Sequence, residues 1–116
     1  MNLVDMEKLK ANSGGDEQFL QELISMGVER IDTTLAEMSH TVQNQDWDGL
    51  SRTIHKLRPI LCYAGVEVFN NELIELEKNS REKAGVGELP ARIGKMTENL
   101  QVARCELERL LSELRK

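Results

Sequence analysis

Apolar residues recur every three or four positions along most of this chain. The longest series runs through Phe19/Leu20, Leu23/Ile24, Gly27/Val28, Ile31, Leu35, Met38 and Val42. That spacing marks one face of a helix and predicts a long helix over about residues 17–43. Asp16 stands before it as an N-cap, with Glu17 in the first turn, where a carboxylate meets unpaired backbone N–H groups. Gly27 weakens the helix by about 1 kcal/mol relative to alanine and is a candidate for a close crossing. Upstream, Leu3, Val4, Met6 and Leu9 suggest a short helix over about 3–11, broken by Asn12-Ser13-Gly14-Gly15.

After the turn Asn44-Gln45, Asp46 caps a third helix over about 47–64, with Leu50, Ile54, Leu57 and Leu61 on one face and Gly65 closing it. Trp47, the only tryptophan, reads as a plug at the end of a bundle. Val66, Phe69, Leu73 and Leu76 place a fourth helix over about 66–82, and two glycines mark the loop that follows. Pro90 fits the first turn of a last helix, about 89–114. There Ile93, Met96, Leu100, Ala103, Leu107, Leu110 and Leu114 form a heptad-like seam. Such a seam serves either an intramolecular core or a partner helix. The expectation is all-α: an antiparallel up-down four-helix bundle over about 17–114, preceded by a short N-terminal helix, as one domain spanning 1–116.

Composition narrows the function. Aromatics are 3% of 116 residues, as suits a helical bundle. A net charge of −5 argues against a polyanion binder, so no nucleic-acid partner is expected. No apolar run approaches the ~20 residues of a membrane span, and residues 1–20 lack the apolar core of a secretory leader. The expected setting is cytoplasmic, with Cys62 and Cys105 reduced, in a monomer without direct membrane contact.

The chemistry concentrates in the third helix. On a helical wheel His55 lies about 130° from the centre of the apolar stripe, so its ring should reach water. One turn away stand Ser51 and Arg52 on one side and Arg58 and Pro59 on the other, with Cys62 two turns on. No carboxylate of the same helix lies one turn from the ring. Nearby arginines favour the neutral, nucleophilic imidazole over the imidazolium, and Arg58 can neutralise an anion placed on it. No Ser-His-Asp arrangement is legible. His55 and Cys62 alone do not make a zinc site, so metal ligands are expected to be none. His40 has no comparable setting and reads as an ordinary surface histidine.

The run His55-Lys56-Leu57-Arg58, Gly65 beyond it, and Leu73 with Leu76-Glu77 in the next helix resemble the histidine-containing phosphotransfer (HPt) family of two-component phosphorelays. Ser13-Gly14-Gly15-Asp16 with Phe19, and Gln45-Asp46-Trp47, are similar to the family's lead-in, so the resemblance covers nearly the whole chain. It implies a carrier and not an autonomous kinase. His55 would take a phosphoryl group from a receiver-domain aspartyl phosphate and pass it to another receiver. The Mg²⁺ would belong to the receiver, with no cofactor of the chain's own.

The implied partners are response-regulator receiver domains and a hybrid histidine kinase, of which the chain could itself be a cytoplasmic domain. The expected docking surface uses Ser51, Arg52, Arg58 and Cys62 of the third helix with part of the second, and Pro59 and Gly65 are further residues expected to flank the site. Leu3, Val4 and Met6 either join it or cap the bundle. Two departures stand out. Arg58 replaces the family's lysine, which keeps the charge and adds a bidentate fork. Pro59 replaces its glycine and removes the N–H that would bond the His55 carbonyl. Pro59 should either bend the third helix just after His55 or end it. A helical adaptor that pairs through its last helix and carries no phosphate is the alternative reading.

Overall fold

In a computed structural model, which describes residues 2–116, the chain folds into five helices and, among the described residues, no strand: α1 (Met6–Ser13), α2 (Glu17–Gln43), α3 (Trp47–Tyr63), α4 (Asn70–Glu82) and α5 (Leu89–Leu114). They pack into an elongated body of 45 × 23 × 20 Å. The helix α2 packs along both α3 and α5, α4 lies along α3 and touches α5 more sparsely, and α1 rests mainly on α2. This is compact helix packing of the bundle kind.

Three of the expected helices begin where local chemistry says they should. Asp16 accepts from the Phe19 N–H and Asp46 from the Gly49 N–H, so both are side-chain N-caps. Pro90 sits in the first turn of α5, where its missing N–H has no intrahelical partner to lose. The α5 seam is not free for a partner: Ile93, Met96, Leu100, Ala103 and Leu107 are buried in the same core as Leu50, Ile54, Leu57 and Leu61 of α3. Gly27 is a close crossing. A Cβ there would lie 2.8 Å from the Ala64 Cβ and 3.2 Å from Leu107 Cδ1, so α2 meets both the end of α3 and α5 at this position.

Two helices differ from expectation, and tertiary hydrogen bonds explain both. The first starts at Met6, not near Leu3, because Asp5 is its N-cap, accepting from the Lys8 N–H. The N–H groups of Leu3 and Val4 instead donate to the Glu106 carboxylate of α5, at 3.1 and 2.6 Å. Val4 is buried, and Leu3 and Met6 pack against the core, so these residues cap the bundle.

The fourth helix starts at Asn70, not near Val66, because α3 ends in a Schellman motif. The Val66 N–H donates to the Leu61 carbonyl and the Gly65 N–H to that of Cys62, with Gly65 left-handed at φ +80°. Val66 is thereby turned into the core and the chain re-enters a helix only four residues later.

Gly65 also anchors the N-terminal segment, since its carbonyl accepts from the Asp5 N–H at 2.9 Å. A Cβ on Gly65 would stand 2.8 Å from the Asp5 carbonyl oxygen. Both terms oppose any side chain. Gly65→Ala is expected to destabilise by about 2 kcal/mol or more in urea unfolding. Gly85→Ala, also at positive φ but facing open space, should lose only the left-handed term of about 1 kcal/mol.

On the surface, Asp32 of α2 and Arg104 of α5 form a two-pronged ion pair, with Arg104 Nη2 3.0 Å from Asp32 Oδ2. The hydrogen bonds from Arg104 hold the Asp32 carboxyl below its ordinary value. Slight desolvation opposes this and the charge of Arg104 adds to it. A depressed folded-state value means the stabilisation is present above the unfolded carboxylate range and is lost as pH falls through the folded one. The stability difference between wild type and Asp32→Asn should therefore be seen at pH 7 and shrink below about pH 4 in parallel urea titrations.

Candidate functional site

His55 stands on the outer side of α3 with 71% of its side chain exposed, while Leu57 and Ile54 beside it are buried. The stripe that faces the core thus leaves the imidazole outside it. The structure then adds a group from another helix. Glu77 of α4 lies with one carboxylate oxygen 3.2 Å from His55 Nδ1 and the other 2.9 Å from Arg58 Nη1. Its side chain is only 12% exposed, and Arg81, one turn further along α4, reaches to 3.8 Å. One nearly buried carboxylate is therefore shared by an imidazole and two guanidinium groups.

This arrangement fixes the tautomer. An ionised carboxylate can only accept, and the arginines beside Glu77 can only donate. Nδ1 therefore carries the proton toward Glu77, and in the neutral ring the lone pair is on Nε2. The partner of the ring is not on α3: Glu77 is 22 residues from His55 and comes from α4, beyond what helical spacing around His55 predicts. A signal was present. Leu73, Leu76, Glu77 and Ser80 recur at helical spacing and are the buried face of α4. A carboxylate on such a face needs a cationic or donor partner from a neighbouring helix.

Arg58 is not a free cation beside the ring. It turns toward α4, where Nη1 donates to Glu77 and Nε donates to Asn70 Oδ1 at 3.4 Å. Pro59 does not end the helix, since α3 runs continuously from Trp47 to Tyr63 with the proline inside it. Its ring is exposed, and it lines a pocket of about 190 Å³ together with His55, Arg58, Cys62 and Asn70.

Three other expected site residues are placed differently. Ser51 is buried and so takes no part in a surface that another molecule could touch. It shares a flank of α3 with Arg58, and α4 covers that flank. Gly65 serves the fold, holding the end of α3 against the N-terminal segment, and does not flank the ring. Arg52 is exposed but lines a separate cavity between α2 and α3, with Lys56 and His40. Cys62 is half-buried and Cys105 exposed, and both are free thiols. Among the described residues no group of three His, Cys, Asp or Glu side chains is placed to hold a metal ion. No helix of the described residues is long and apolar enough to cross a membrane.

No known protein family, curated protein or solved structure matches the chain. The site therefore rests on its own geometry.

Removing the shared carboxylate tests that geometry. Glu77→Ala leaves Arg58, itself mostly buried, without its anionic partner. It should destabilise by about 2–3 kcal/mol in urea unfolding. Glu77→Gln keeps one acceptor oxygen, which Arg58 takes because a guanidinium can only donate, and should lose less. Nitrogen-15 spectra of the His55 ring should report Nδ1–H in wild type, a shift toward Nε2–H in Glu77→Gln, whose amide N–H then faces Nδ1, and a mixture of tautomers in Glu77→Ala.

Proposed function

We propose that this chain is a phosphoryl carrier of the histidine phosphotransfer kind, with His55 as the phosphoacceptor. The observation that carries the reading is the exposed imidazole whose Nδ1 meets Glu77 at 3.2 Å, which frees the Nε2 lone pair toward solvent-accessible space. The residues resembling the HPt family around His55 support it further. An antiparallel up-down order of α2–α5 belongs to this proposal, as do a monomeric state and a cytoplasmic setting. Receiver domains and a hybrid histidine kinase are the proposed partners, with no nucleic acid among them.

The chemistry follows from the ring. Nε2 attacks the phosphorus of a receiver's aspartyl phosphate in line. An N–P bond forms, the P–O bond of the acyl phosphate breaks, and the aspartate leaves as a carboxylate. No proton has to move, because Nε2 carries none in this tautomer. The ring becomes cationic as the bond forms, and the Glu77 carboxylate facing Nδ1–H stabilises that charge. Transfer to a second receiver is the same step reversed. The Mg²⁺ that neutralises the moving phosphoryl group would be the receiver's. Nothing in this step asks the chain to bind a nucleotide.

The test is incubation with a panel of phosphorylated receiver domains and Mg²⁺. The expected outcome is acid-labile, base-stable label on the wild-type chain and none on His55→Ala. Absence of transfer from every receiver, or labelling of His55→Ala equal to wild type, would remove the proposal.

A further inference from the structure

The pocket beside His55 contains a residue that the resemblance does not account for. Asn70 opens α4, is half-buried, and lines the pocket with His55, Arg58, Pro59 and Cys62. Arginine has no acceptor, so the bond from Arg58 Nε requires the Asn70 oxygen to face it. The Asn70 amide nitrogen is then turned the other way. Among the described residues neither this Nδ2 group nor Arg58 Nη2 has a protein hydrogen-bond partner. Glu77 and Asn70 together hold the guanidinium at two of its three nitrogens, so Nη2 is carried in a fixed direction.

We propose that this pocket is the seat of the phosphoryl oxygens on His55, with Asn70 as a second donor beside Arg58. The inference rests on the phosphocarrier reading above and adds a residue to it. The pocket, at about 190 Å³, exceeds the ~30 Å³ share of a water molecule several-fold, which leaves room for a tetrahedral oxyanion. Apart from the His55 ring that would carry the phosphoryl group, the unpaired nitrogens of its lining, on Arg58 and Asn70, are donors, as an oxyanion requires. Asn70 thus has two roles: its oxygen orients Arg58, and its Nδ2–H groups meet the phosphoryl oxygens. The N–P bond is made and broken as described above; Asn70 exchanges no proton and takes part only by hydrogen bonding.

Two substitutions separate these roles. Asn70→Asp keeps, and by its charge strengthens, the acceptor for Arg58, and it places a carboxylate in the first turn of α4, where it stabilises the helix. It removes the donors and sets a negative charge against the phosphoryl group. Asn70→Ala removes both roles. The measurement is the equilibrium constant for phosphoryl exchange between this chain and a phosphorylated receiver with Mg²⁺, read by gel separation of the phosphorylated forms, alongside thermal melting of each variant.

Asn70→Asp is expected to melt at or above the wild-type temperature. Its exchange equilibrium should nevertheless move about tenfold or more toward the receiver, the size of losing a hydrogen bond to a charged group. Asn70→Ala should shift the equilibrium in the same direction. An exchange constant for Asn70→Asp equal to wild type would show that Asn70 only braces Arg58, and would overturn the subsite while leaving the carrier intact. A wild-type chain that accepts no phosphoryl group from any receiver would instead remove the carrier reading on which the subsite stands.

Discussion

A single carboxylate ties α3 to its neighbour α4. Glu77 enters the α3–α4 contact from the buried face of α4, where an unpaired charge would be costly. It is tolerated there because Arg58 lies 2.9 Å from one oxygen, while the other oxygen faces the His55 imidazole, with Arg81 further off. The same contact does two things. It joins two helices that otherwise share mainly apolar side chains, and it orients a ring that would otherwise rotate in water. Structural and chemical roles cannot be assigned to separate residues here, because the group that satisfies Arg58 is also the group that selects the tautomer of His55.

The rest of the fold can be read as support for that contact. Leu50, Ile54, Leu57 and Leu61 press α3 into the core, which fixes the azimuth of His55 outside it. The Schellman motif at Leu61–Val66 stops α3 and turns the chain back, so that α4 begins at Asn70 beside Arg58. Beneath this turn, the segment at residues 3–5 is pinned twice, by Glu106 and by the Gly65 carbonyl. Gly27 lets α2 approach the end of α3 closely. Each device acts at a distance from the imidazole, and together they hold the helix that presents it.

Much of the helix layout was legible because it depends on local chemistry. Asp16 and Asp46 cap their helices within three residues, and most of the apolar periodicity of α2, α3 and α5 is carried into the core, although Phe19 is exposed and Leu110 and Leu114 are only partly buried. What could not be read depends on partners far along the chain. Leu3 and Val4 have helix-compatible spacing, yet their N–H groups go to Glu106, more than a hundred residues away. Val66 continues an apolar series, yet the left-handed Gly65 separates it from α4. At the site, the exposure of His55 followed from the wheel, whereas Ser51 did not behave as an exposed residue because the wheel shows which flank it occupies and not which helix covers that flank. Glu77 was visible as a residue, but its pairing with His55 exists only once α4 lies along α3.

Pro59 has a mechanical consequence. In an unbroken helix the N–H at position 59 would close the turn over the His55 carbonyl, and here that rung of the ladder is missing. The stiffness of the turn that carries the imidazole is therefore borrowed from outside α3, through the clasp of Arg58 on Glu77 and Asn70. Any charge at the ring that drew Arg58 out of this clasp would slacken the backbone beneath it. In this chain the compliance of the presenting turn and the charge state of its neighbourhood are mechanically coupled.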